Sequence, residues 1–160
     1  MRDKKFKRKI IVLGFGLIVA IYASTQMIGQ WIKIGINSSD SIPGTVFLIV
    51  KGSKLKRNDM AAFYPPENSY YKTWFVKYVA GVPGDSVSSL GSSFYINGRF
   101  IGNAKDHAKD GSVLRPSAPG IITKDHYFVW TPHKDSYDSR YQDIGLVPVD
   151  RVIGRAIRIL

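Results

Sequence analysis

From Ile10 to Ile32 the chain reads "IIVLGFGLIVAIYASTQMIGQWI", 23 positions without a charged residue. A helix needs about 20 apolar residues to cross a bilayer core, so this run is long enough to span one. Before it stands "MRDKKFKRK", with six of the chain's 23 Lys/Arg and one of its twelve acids. Basic residues flanking a span stay on the cytoplasmic side, which places the N-terminus inside and everything after about residue 33 outside. A removed signal peptide is the competing reading, because Ile10 to Ala23 has the length of a signal-peptide apolar core. Bulky Ile21 and the weak "AST" at 23 to 25 make a poor cleavage site, and apolar character resumes with "MIGQWI". The expected organisation is a basic cytoplasmic tail at 1–9, a retained transmembrane anchor at 10–32 and an extracytoplasmic domain at 33–160.

The formal charge of +11 invites a nucleic-acid reading, but the first nine residues carry +5 of it. Apart from Lys51, Lys54, Lys56 and Arg57, the remaining basic residues are scattered, with no aromatic-interleaved stripe, so no nucleic-acid partner is expected. There is no cysteine, which removes disulfides, thiolate metal sites and thiol nucleophiles together. The three histidines, at 107, 126 and 133, lack metal-ligand spacing, and neither a metal nor a cofactor is expected.

After the anchor the apolar runs are short, rich in β-branched and aromatic residues, and separated by turn formers. They are "TVFLIV" (45–50), "MAAFY" (60–64), "TWFVKYVAGV" (73–82), "SFYINGRFIG" (93–102), "HYFVW" (126–130) and "RVIGRAIRI" (151–159). The "NG" at 97–98 between two such halves predicts a tight hairpin turn. Residues 103–125, with "KDHAKDGS" and "PSAPG", read as a long surface excursion within one domain. The fold class is therefore mainly β with one N-terminal transmembrane helix.

The chemistry turns on "NSSDSIPG" at 37–44 and on Lys77. A serine hydroxyl needs a base within hydrogen-bond reach to act as a nucleophile. No "GxSxG" elbow surrounds any serine, and His107 falls in the excursion, which leaves a Ser-His-Asp site with little behind it. A lysine can be the base if apolar surroundings penalise its charge. On a strand, Lys77 shares its face with Phe75 and Val79, whereas the other lysines sit among Gly, Ser, Asp or other charges. The plainer readings are an edge lysine whose amine reaches solvent and a serine-rich turn with no chemistry.

Taken in order, the anchor, "NSSDSIPG", "VKYVAGVPGD" about 36 residues later and "SYDSRYQDIGLVP" near the C-terminus resemble the type I signal peptidases, Ser/Lys proteases that release signal peptides. The resemblance implies Ser41 as nucleophile and Lys77 as general base. Ser39 and the Ser41 amide would form the oxyanion hole, Ser136 would orient the lysine, and Asp138 and Arg140 would brace the site. Taken alone, "DSR" reads as a surface turn with an ion pair. Ser38 receives no role, and Asp40 is not expected as a base. Ile42 stands where the family usually has Met, Pro43 comes early, and "TPHKD" at 131–135 replaces the usual "GDN". The short chain and "DSIPG" are most similar to the conjugative-transfer, TraF-type branch, which matures pilin precursors. The resemblance implies a preprotein or prepilin substrate with small side chains at the first and third positions before the cut. It also implies a single-pass protein of the bacterial cytoplasmic (inner) membrane, with its domain on the extracytoplasmic or periplasmic side. Two rivals stand beside this reading: a non-catalytic, membrane-tethered β domain that binds an exported partner, and a self-cleaving repressor-type protease.

Overall fold

The computed structural model describes residues 2–37, 39–67, 69 and 71–160. Helix α1 (Arg2–Trp31) comes first. Its segment Arg8–Trp31 has a mean hydropathy of 2.0 and buries nothing against the rest of the chain, so it is long and apolar enough to cross a membrane. No basic residue lies in its last turn. The terminal carbonyls are instead met from outside, where Lys51 Nζ donates to the Gly29 carbonyl at 2.7 Å and places a cation at the negative end of the helix.

Among the described residues, eleven strands form two sheets. The helix runs without a break into β1 (Ile32–Ile36), which pairs antiparallel with β2 (Val46–Lys51). The stretch "IKIGI" was not among the expected strands, because its first residue belongs to the apolar run of the anchor. Next come β3 (Met60–Phe63), β4 (Phe75–Gly81), β5 (Ser86–Leu90), β6 (Ser93–Ile96), β7 (Arg99–Asn103), β8 (Gly120–Ile121), β9 (His126–Trp130), β10 (Val147–Pro148) and β11 (Val152–Arg158). The larger sheet has the order β1-β2-β11-β3-β4-β9-β10, and the smaller one β7-β6-β5-β8. Each expected run supplies a strand or, in "SFYINGRFIG", a hairpin with Asn97 and Gly98 both at positive φ (49° and 77°). β5 was not foreseen: its "SVSSL" has one buried side chain, Val87, and carries little apolar signal.

Alternation along β4 distributes its side chains among three clusters. Val76 joins Ile42, Phe47 and Ile49; Val79 joins Ala61, Phe63 and Val129; Ala80 joins Phe94, Ile96 and Phe128 under the smaller sheet. Lys77 lies on this strand between them, 5% exposed. β11 passes tightly over β2 at Gly154, next to a register shift, where a side-chain carbon would overlap the Val50 carbonyl.

Candidate active site

"NSSDSIPG" forms the loop of the β1–β2 hairpin, closed at its neck by the Asn37 amide donating to the Thr45 carbonyl at 2.8 Å. Ile42, 2% exposed, anchors this loop in the cluster of Phe47, Ile49 and Val76. The apolar residue after Ser41 thus fixes the hydroxyl by burial. Asp40 and Ser41 sit in a turn, not on a strand, and Asp40 is exposed. Ser38 lies outside the described residues.

Asn37, which the sequence reading passed over, organises the loop. Its Nδ2 donates to the carbonyls of Ser39 (2.8 Å), Ile42 (3.2 Å) and Gly44 (3.0 Å), and its Oδ1 accepts from the Ser39 amide (3.1 Å) and hydroxyl (3.0 Å). An Asn two residues before a serine is the signature of an Asx turn, which is the signal that could have found it. Ser39 Oγ then stands 3.1 Å from Ser41 Oγ.

Lys77 meets this loop from β4. Its Nζ is 2.9 Å from Ser41 Oγ and 3.0 Å from Ser136 Oγ, and 5.7 Å from the centre of the Phe75 ring. Ala61, fully buried, is its cross-strand neighbour on β3 and leaves room for the amine. Burial disfavours the ammonium and lowers the pKa of Lys77 from the usual 10.5 to about 8; the Asp138 carboxylate pulls it up and Arg140 pushes it down. A hydroxyl in contact with such an amine can lose its proton to the neutral form of that amine.

Ser136 belongs to a buried turn rather than to a surface one. Asp138 is fully buried, and Arg140 is 2% exposed. Asp138 Oδ1 accepts from Arg140 Nε, and its Oδ2 from Arg140 Nη2, both at 2.9 Å; Oδ2 also accepts from the Thr131 amide at 3.2 Å. Arg140 Nη2 reaches the Ser136 carbonyl at 3.4 Å, and Nη1 donates to the Asn103 carbonyl at 2.8 Å. The pair therefore ties the Ser136 backbone to the base of the 103–125 excursion. Just before Ser136, Asp135 is salt-bridged by Lys105 and Lys109 of that excursion, and the hydrogen bond from Lys105 holds its pKa down to about 2.

The structure thus brings together Ser39, Ser41, Lys77 and Ser136 in one chain of polar contacts, with Asp138 and Arg140 behind it. Among the described residues, no histidine bonds Ser41: His126 contacts Thr123 at 3.0 Å, and His133 Nδ1 accepts from the Asp135 amide at 3.2 Å.

A mainly β domain follows directly on an apolar N-terminal helix and sets a serine hydroxyl against a buried amine, the kind of neighbour a serine needs to act as a nucleophile. The chain belongs to the signal peptidase family, peptidase S26, whose model matches residues 7–160. It is 26% identical over 172 residues to a protein named signal peptidase I P from Bacillus subtilis subsp. natto, covering 96% of this chain and 90% of that one. It is 32% identical over 84 residues to the conjugal transfer protein TraF of Agrobacterium tumefaciens, covering 49% of this chain and 47% of that one. The chain thus spans about half the length of some curated relatives and most of others. A crystal structure of a signal peptidase I from Enterococcus faecalis aligns with a TM-score of 0.42 at 24% identity, covering 64% of this chain and 97% of that one.

Proposed function

We propose that this protein is a membrane-anchored serine endopeptidase that cuts signal peptides or pilin-like precursors, with Ser41 as nucleophile and Lys77 as general base. The observation that carries the reading is the 2.9 Å contact between Ser41 Oγ and an amine whose pKa burial lowers to about 8.

Neutral Lys77 takes the proton from Ser41 Oγ, and the oxygen attacks the scissile carbonyl. The oxyanion forms beside the Ser41 amide and the Ser39 hydroxyl, whose one proton turns from Asn37 Oδ1 to the oxyanion. Lys77, now an ammonium held by Ser136 Oγ, gives its proton to the leaving amine, and the acyl group stays on Ser41. The lysine next takes a proton from water, hydroxide attacks the ester, and the proton returns to Ser41. At pH 7 about one amine in ten is neutral for a pKa near 8, enough to run the first step.

Placement supports a membrane substrate. Only nine residues separate the end of α1 at Trp31 from Ser41. Beside the helix, exposed Ile34, half-buried Leu48 and exposed Ile157 line up across β1, β2 and β11, an apolar row suited to the bilayer interface. With the basic tail inside, the domain faces outward from the bacterial cytoplasmic membrane. Relatives named for conjugal transfer, in Agrobacterium tumefaciens and Sinorhizobium fredii, favour a pilin precursor of a transfer system as the substrate.

The test is to express wild type, Ser41→Ala and Lys77→Ala in membranes with candidate preproteins and prepilins, and to map new termini by mass spectrometry. Wild type alone should produce them. Processing by either variant at the wild-type rate overturns the dyad.

A further inference from the structure

Two cavities meet at Ser41. The smaller, about 320 Å³, has apolar walls from Ile36, Trp74, Phe75 and Val76, with Lys77 on its lining. The larger, about 680 Å³, draws no residue from β4 and lies under the 103–125 excursion. Ser39, Ser41, Tyr71, Asp135, Ser136 and Tyr137 border both.

The excursion is a built wall. Besides the bond from Arg140 to Asn103, the Lys105 amide donates to Tyr141 Oη at 3.1 Å, and the Ser117 amide to the Arg140 carbonyl at 2.8 Å. Within it His107 pairs with Val113, and the Leu114 amide donates to the Asp106 carbonyl at 2.8 Å. Two of its three lysines, Lys105 and Lys109, are both engaged on Asp135.

A peptide cut at Ser41 must leave the nucleophile in two directions. On the peptidase reading above, the small side chains before the cut suit the smaller, apolar cavity. The chain past the cut then has the larger one. At about 680 Å³ that space lies within the range of ligand pockets. Its lining holds four aspartates (40, 110, 135 and 143) against two lysines (105 and 109), a formal −2 in a chain of +11. A concave site with a net negative charge concentrates positive charge.

We propose that the cavity under the excursion binds the first residues beyond the scissile bond and selects a basic side chain among them. This inference rests on the peptidase reading.

The test uses the full chain in bilayers and internally quenched peptides with alanine at the first and third positions before the cut. One peptide ends one residue past the cut; the others continue for five, with Lys or Glu at the second position. The longer peptides should raise kcat/KM by about tenfold, and Lys should exceed Glu by about fivefold. That preference should shrink in about 0.5 M salt, and in a variant joining Asp110→Asn to Asp143→Asn. Equal rates for all peptides overturn the inference and leave the peptidase reading standing. No cleavage above the Ser41→Ala background overturns the reading, and the inference with it.

Discussion

Two cations are buried in neighbouring regions of this molecule, and their surroundings send them in opposite directions. On β4, Lys77 meets the hydroxyls of Ser41 and Ser136 beside the Phe75 ring, and burial lowers its pKa to about 8. In the turn after β9, Arg140 is equally enclosed, but the bonds and charge of Asp138 outweigh its burial and raise its pKa. Asp138 also pulls the pKa of Lys77 upward, and Arg140 pushes it back. The ion pair thus braces Ser136 while acting on the amine as a nearly neutral unit. Which acceptor reaches a buried cation, and not burial alone, decides the direction in which its pKa moves, and of these two only the lysine can lose its proton.

The largest effect should come from removing the amine. Lys77→Met is expected to lower turnover by at least about 10⁴-fold, read as kcat with a cleavable peptide. The same variant should gain stability. An amine with a pKa near 8 in the folded state and 10.5 unfolded costs about 3 kcal/mol when protonated below pH 8. Between pH 8 and 10.5 the unfolded chain binds the extra proton, so wild-type stability should rise with pH across that window. A Lys77→Met melting temperature below wild type at pH 6 would break the contrast between the regions.

Next comes Arg140→Met, which strands the Asp138 carboxylate in a fully buried position and should cost about 3–5 kcal/mol in denaturant unfolding. With the guanidinium gone, Asp138 acts on Lys77 unopposed. The rising limb of the pH–rate profile, expected near pH 8 in wild type, should move to higher pH. A large loss of stability with an unmoved midpoint would show that the turn has no electrostatic hold on the amine.

Much of this contrast was legible in the sequence, and unevenly. The strand bearing Lys77 was readable because Phe75 and Val79 share its face, and burial follows from pattern. That the amine meets Ser41 follows from the resemblance and not from pattern, because contacts 36 residues apart depend on sheet order, which alternation does not encode. "DSR" by itself reads as a surface ion pair because short charged stretches are usually solvated, whereas here Asp138 and Arg140 both lie in the interior, bonded to the Thr131 amide and to the Asn103 carbonyl respectively. β1 begins inside the anchor run at Ile32 and has only four residues beyond it, and Asn37 stands in a loop crowded with hydroxyls.

The smallest of these effects belongs to Ser136, the link between the two regions. Its hydroxyl accepts from Lys77 Nζ at 3.0 Å, while its carbonyl meets Arg140. Ser136→Ala keeps the backbone bond and removes the acceptor, so the amine retains Ser41 and loses one of its two oxygen partners. A hydrogen bond to a charged group contributes about 1.5–3 kcal/mol, and that contribution is largest when Lys77 carries the proton it passes to the leaving amine. Turnover should therefore fall by about ten- to a hundredfold with KM nearly unchanged. The pH–rate midpoint should drop, because the ammonium loses a stabilising acceptor. A rise in KM with kcat preserved would place Ser136 in substrate binding and sever the turn from the lysine.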